Sequence, residues 1–98
     1  MYVNVIKSYR DVVAICDSEL IGKKFEEGEL QLDVKESFYK GEQVDEEKLL
    51  NIIDFHKQED ATFNIVGEKS INLALKEGII QEEAIKKIQG IPYVFVLI

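Results

Sequence analysis

Residues 64–70 read NIVGEKS, and this segment joins the two patterns that decide the fold. Residues 61–66 form a strand candidate, and residues 68–77 repeat apolar side chains at the spacing of one helix face. A single glycine, Gly67, lies between them. The segment therefore predicts a strand that turns directly into a helix, which is also the geometry in which many proteins hold phosphate.

Gly67 does not belong to a phosphate-binding loop of the usual kind. Such a loop has an earlier glycine, four residues before its Gly-Lys-Ser/Thr ending, so that successive amides point at the phosphates. Here Thr62 and Phe63 occupy the upstream positions, and Glu68 separates Gly67 from Lys69. The dinucleotide fingerprint, which needs three glycines, fails as well. The sequence therefore argues against a nucleotide site at this turn.

Two interpretations of the turn remain open. Free amides at the helix N-terminus, assisted by Lys69, would hold a small anion. Alternatively, Gly67 permits close packing of strand on helix or a positive backbone angle, which we favour. Asn64 has a similar pair of interpretations, as a ligand contact or as an amide that satisfies backbone groups at the end of a sheet.

Length and composition predict one soluble domain over residues 1–98, with no repeat or linker to mark a boundary. Cys16 is the only cysteine, which excludes an intramolecular disulfide and a zinc ribbon and favours a reducing cytoplasm. The first residues lack the features of a signal peptide. The longest apolar tract, residues 91–98, is too short to span a bilayer. We therefore expect a cytoplasmic protein without membrane contact.

The net charge of −7 is concentrated in one part of the chain. Residues 17–60 hold 14 acidic and 6 basic side chains, giving −8, and the flanks hold 5 acidic and 6 basic, giving +1. Such a surface repels a phosphate backbone, so sequence-independent nucleic-acid binding is not expected. A basic protein or a ribonucleoprotein is the partner that this charge favours. Glu-rich surfaces also serve simply to keep small domains soluble. The Lys/Glu-rich composition is typical of heat-adapted proteins.

Hydrophobic spacing predicts the remaining elements. Residues 2–7 and 12–16 form an opening hairpin, a second hairpin turns near Gly28, and Asp45 caps a helix. Residues 81–88 predict a further helix that Gly90 ends, and the apolar run YVFVLI predicts a strand covered on both faces. If the strands at the two ends of residues 61–97 are parallel, they form a right-handed crossover. The chain is thus predicted to be an α+β domain with a mixed sheet of five or six strands and three helices mainly on one face.

Few side chains outside the glycine turn suggest chemistry. Asp17 and Glu19 are two residues apart without a third ligand, so capping of the short helical turn predicted at residues 18–20 explains Asp17 better than a metal does. His56 is the only histidine and lies on an apolar helix face, where a packing role is expected. No catalytic residue, metal site or cofactor is predicted.

The loop sequence FYKGE contains Phe38, Tyr39 and Gly41 in an aperiodic polar stretch. Aromatic residues in such a stretch either plug the core or form an exposed recognition surface. We favour the plug, and exposure of Tyr39 among acidic residues would instead favour a protein partner.

Four blocks, ICDSELIGKKFEEGELQLDV, FYKGE, NIVGEKSI and GIPYVFVLI, resemble in order and spacing an archaeal family known as domain of unknown function 424. The resemblance covers nearly the whole chain. It implies an archaeal cytosolic protein of compact α/β type, and it supplies no catalytic residues.

Two functions follow as hypotheses. The first is a non-catalytic interaction module that docks by its acidic region, together with the loop at residues 38–42, onto a basic protein or a ribonucleoprotein. The second is a small-ligand domain or enzyme in which Asp17, Asn64, Gly67 and Lys69 surround one cleft. Self-association through the apolar C-terminal strand stays open as a structural alternative.

Overall fold

The computed structural model describes residues 1–96. Within them the strands are β1 Tyr2–Ile6, β2 Val12–Cys16, β3 Lys24–Glu27, β4 Leu30–Asp33, β5 Glu42–Gln43, β6 Thr62–Val66, β7 Lys86–Ile88 and β8 Ile91–Val96. The helices are α1 Glu36–Tyr39, α2 Glu46–Gln58 and α3 Glu68–Lys76, and 3₁₀ turns lie at Ser18–Leu20 and Glu82–Ala84.

Six strands form one mixed sheet in the order β5-β1-β2-β6-β8-β7, and β3 pairs with β4 in a separate hairpin. The central strands β2 and β6 are parallel, whereas the other neighbours are antiparallel. The predicted α+β class and the mixed sheet are confirmed, as are the opening hairpin and the hairpin at Gly28. The Asp45 cap is also confirmed, since its Oδ1 accepts a hydrogen bond from the Lys48 amide at 2.8 Å.

The two faces of the main sheet are covered differently. On the first face, Val13, Ile15, Phe63 and Ile65 are fully buried in one core with apolar residues of α2 and α3. The second face packs partly against β4 and α1, in a smaller core that includes Ala14, Cys16, Leu32, Val34, Tyr39 and Val66. Alternation along β2 sends side chains into both cores, which explains why its apolar run is continuous.

Residues 81–88 do not form the predicted helix. A 3₁₀ turn at Glu82–Ala84 is followed by β7, which pairs with β8 so that Ile88 faces Ile91. Gln89 and Gly90 have φ of 51° and 78°, so the connection is a two-residue hairpin turn of the kind that matches strand twist. Residues 81–88 also fit the spacing of a helix face, but the hairpin turn and the pairing of β7 with β8 determine the observed structure.

Two further expectations change with this correction. β6 and β8 are antiparallel, so residues 61–97 do not form the crossover that parallel strands would have given. The third helix is instead α1, in the segment that was expected to be a loop. Leu97 and Ile98, which end the predicted last strand, lie outside the described residues.

Candidate functional site

The strand–glycine–helix junction is closed by a carboxylate from another part of the chain. Asp17 follows β2, and its amide donates to the Val66 carbonyl at 3.0 Å because β2 runs parallel to β6. The carboxylate accepts hydrogen bonds from the Lys69 amide (3.1 Å), the Ser70 amide (2.8 Å) and the Ser70 hydroxyl (2.7 Å). Asp17 is only 3% exposed. It thus lies where an external anion would bind at the N-terminus of α3.

Gly67 makes this arrangement sterically feasible. Its φ is 109°, a conformation that side-chain-bearing residues rarely adopt, and a Cβ atom there would lie 2.3 Å from Asp17 Cγ. This geometry agrees with the interpretation that we favoured from the sequence, in which Gly67 permits close packing or a positive backbone angle. The amides of Lys69 and Ser70 are satisfied without any ligand.

Asp17 acts as a cap, but on a different helix from the one expected. Its side chain makes no capping bond to the Ser18–Leu20 turn that directly follows it. It caps α3 instead, across more than fifty residues of sequence. Sequence spacing alone gives no signal for this contact, because it depends on the parallel pairing of β2 with β6.

The segment containing Phe38, Tyr39 and Gly41 is part of the second core. Tyr39 is 4% exposed, its ring lies 5.0 Å from that of Phe38, and burial raises its pKa to about 12. A Cβ on Gly41 would lie 2.4 Å from the Val3 carbonyl oxygen, so glycine lets this segment approach β1 closely. The structure therefore places Tyr39 as a core plug, apart from the Asp17 junction.

Asn64 lies in the middle of β6 on the second face, away from the junction. It is half-buried, faces Ala14 of β2 and Phe95 of β8, and makes no side-chain hydrogen bond to any of residues 1–96. The expected role at the end of a sheet is wrong, since the strand continues on both sides of it. The junction thus brings together Asp17, Gly67 and the backbone amide of Lys69, an exposed residue, but not Asn64.

A part of the second face around Asn64 is left uncovered; we call it the open face and define it by Thr62, Asn64, Lys86, Tyr93 and Phe95. Phe95 is 59% exposed, and its ring lies 5.6 Å from that of Tyr93. The expectation that β8 is covered on both faces is therefore wrong. The aromatic residues two positions apart in YVFVLI were the sequence signal for this surface, but the apolar run obscured it.

His56 is a buried residue of α2, as expected for a packing role, and its ring contacts that of Phe55 edge-on. It is 8% exposed, and its Nδ1 has no hydrogen-bond partner within the described chain. Burial lowers its pKa from 6.5, nearby Lys7 lowers it further, and Asp11 and Glu59 oppose the shift.

The pKa shift of His56 predicts a pH-dependent contribution to stability. Because the folded state disfavours protonation, this contribution is present above pH 6.5 and is lost as pH falls through the lowered pKa. Wild-type protein should therefore lose more unfolding free energy than His56→Gln between neutral pH and about pH 5, as measured by urea denaturation. Parallel losses in the two proteins would contradict this assignment.

We also searched the described residues for a metal site and for a membrane-spanning helix. No three His, Cys, Asp or Glu side chains among them are grouped to hold a metal ion. None of the described helices combines the length and apolar character needed to cross a membrane.

Fold and junction together define a class: a small α+β domain whose glycine turn is filled by its own carboxylate. The chain belongs to the family described as Protein of unknown function (DUF424), whose model matches residues 6–98. The resemblance drawn from the sequence blocks is confirmed.

A solved structure shares the fold. It is described as the crystal structure of an uncharacterized conserved protein from Methanopyrus kandleri, and it matches with a TM-score of 0.83 at 22% sequence identity. The match covers 97% of this chain and 88% of that one. A search of curated proteins gives no match.

Proposed function

We propose that this protein is a non-catalytic interaction module of the cytoplasm that docks through the β3–β4 hairpin onto a basic protein, free or within a ribonucleoprotein. The observation that carries the proposal is the group of exposed carboxylates on this hairpin. Residues 24–33 contain four acidic side chains and one basic one, giving a net charge of −3.

The carboxylates of Glu26, Glu27 and Glu29 are exposed around the hairpin turn. Leu30, directly opposite Glu27, is 52% exposed and adds an apolar contact beside them. Lys24 lies 3.7 Å from Glu26 in an exposed ion pair that solvent weakens. A lysine- or arginine-rich surface with a small apolar recess is complementary to this arrangement.

The hairpin is held in place rather than free to move with its charges. Leu32 is buried in the second core. The amide of Gln89 donates to Glu27 Oε1 at 2.9 Å, and its side-chain Nε2 donates to the Glu26 carbonyl at 2.6 Å. A preorganised acidic surface loses less conformational entropy on binding. Asp17 and Tyr39, which the sequence also suggested, are buried and are not part of this surface.

Charge neutralisation tests the proposal. Proteins captured from a lysate of the source organism at low salt would be identified and purified, and their affinity measured by calorimetry. Replacing Glu26, Glu27 and Glu29 with glutamine should weaken the specific partner about tenfold, since each exposed pair contributes about 0.2 to 1 kcal/mol. High salt should have a similar effect.

The matched control removes three exposed carboxylates elsewhere, as Glu47→Gln, Asp54→Asn and Glu83→Gln. It changes net charge equally and should leave the affinity unchanged. Equal weakening by the two triple variants would show general charge attraction and not hairpin docking. Full affinity in the hairpin variant would refute the proposal outright.

A further inference from the structure

We infer that the open face binds unpaired bases of single-stranded RNA. The acidic hairpin adjoins this surface at the Gln89 end of β7 and supplies none of the residues that define it. The inference does not depend on the proposed function. Its chemistry rests on a pair of aromatic rings, an amide without a hydrogen-bond partner among residues 1–96, and one lysine, all on the same face of the sheet.

The aromatic pair provides the stacking surface. Tyr93 and Phe95 are two residues apart on β8, so their side chains point to the same face, with centroids 5.6 Å apart and planes at 51°. Phe95 is 59% exposed. Tyr93 is half-buried and packs against the second core. Aromatic rings on the surface of a sheet are the feature by which β-sheet proteins stack successive bases.

Polar groups beside the rings suit the edges of bases. Asn64 is the cross-strand neighbour of Phe95, and Thr62 is two residues before it on β6. No side-chain hydrogen bond within residues 1–96 engages the Asn64 amide, although the residue is half-buried. An amide offers both donors and an acceptor, which a base edge can satisfy.

Charge on this face favours RNA over a basic peptide. Lys86 faces Tyr93, and it is the only charged side chain that the described strands of the main sheet place on this face. A cleft of about 270 Å³ between them is lined by Ala84, Lys86, Tyr93, Val94 and Phe95, without a carboxylate. In a chain of net charge −7, the positive charge that these described strands contribute is complementary to phosphate.

Because the described strands supply a single lysine to the open face, affinity comes mainly from base stacking and from hydrogen bonds to base edges. It depends little on the phosphate backbone. Binding of this kind departs from the expectation that the acidic chain does not bind nucleic acid independently of sequence, because that expectation considered only the phosphate backbone. RNA is preferred to DNA because loops and ends of RNA present unpaired bases, whereas a duplex stacks them inside.

The test uses the full-length chain and short oligomers of uridine and of adenosine. In ¹H–¹⁵N NMR titrations, RNA should shift the amides of residues 62–64, 86 and 93–95. Phe95→Ala should weaken binding about 5- to 150-fold, the effect of losing one stacking partner. The logarithmic salt slope should be about −0.7, corresponding to a single phosphate contact.

Phe55→Ala is the matched control, since Phe55 is 58% exposed but lies on α2. It should leave RNA affinity unchanged. Asn64→Ala provides a second loss-of-binding variant if Phe95→Ala fails to fold. A blunt RNA duplex, whose bases are stacked inside, should bind more weakly than the single strands, and equal affinity would overturn the assignment to unpaired bases.

Several results would refute the inference. These are absence of shifts at millimolar RNA, shifts confined to the acidic hairpin, and a salt slope of several phosphates. Concentration-dependent self-association through Phe95, seen by sedimentation, would instead assign the open face to a second copy of this chain.

Discussion

Gly67→Ala should lower the free energy of unfolding by about 3 to 5 kcal/mol, which combines overpacking with an unfavourable backbone angle. The added Cβ would lie 2.3 Å from Asp17 Cγ, and the φ of 109° is strained for alanine. The backbone has little freedom to relax. The Gly67 amide donates to the Pro92 carbonyl at 2.9 Å, and the Gly67 carbonyl accepts from the Ile71 amide at 2.9 Å.

Urea denaturation followed by circular dichroism measures this loss. Gly78→Ala is the control, because Gly78 also has a positive φ of 73°, but a Cβ added there would meet no atom within 4 Å. It should cost about 1 kcal/mol, the backbone contribution alone. If the two substitutions cost the same, steric contact with Asp17 is not the reason for glycine at position 67.

Asp17→Ala should cost about 3 kcal/mol, the sum of a lost helix cap and an unsatisfied buried hydroxyl. The Asp17 carboxylate accepts three hydrogen bonds at the start of α3. Because Ser70 is only 1% exposed, water cannot easily take the place of this carboxylate as an acceptor. Asp17→Asn keeps an acceptor and should cost less. Asp45→Ala, which removes an exposed local cap from α2, should cost about 1 kcal/mol.

The two substitutions at the junction should not be additive. Removing the Asp17 side chain also removes the atoms that the new methyl group at position 67 would contact, so Gly67→Ala should cost less in the Asp17→Ala background. A coupling of at least about 1 kcal/mol in a double-mutant cycle is expected. Additive losses would mean that the two residues act independently, contrary to the geometry.

Local patterns predicted the elements whose stability is itself local. The opening hairpin, the hairpin at Gly28 and the helix after Asp45 follow from alternation, turn residues and capping, all within a few positions. The helix predicted for residues 81–88 is wrong because the apolar residues there fit a helix as well as they fit a turn followed by a short strand. The Gln89-Gly90 turn decided between them through pairing with β8.

The junction was predictable only in part, because one of its contacts joins residues that are far apart in sequence. The single glycine, with Glu68 after it, was enough to argue against a phosphate loop. That Asp17 fills the turn depends on the parallel register of β2 and β6, which no local pattern specifies. The open face was missed because a continuous apolar run does not show which of its residues the hairpin and α1 leave uncovered.

The parallel pairing at the centre of the sheet has a consequence for synthesis on the ribosome. Val12 of β2 pairs with Thr62 of β6, so β6 leaves the ribosome about fifty residues after β2. Until then the nascent chain presents Val13 and Ile15, fully buried in the finished protein, with their β1 neighbours but without those of β6. Non-local closure of this kind is slow and exposes apolar surface to other chains, so the vulnerable interval for aggregation lies between translation of β2 and of β6.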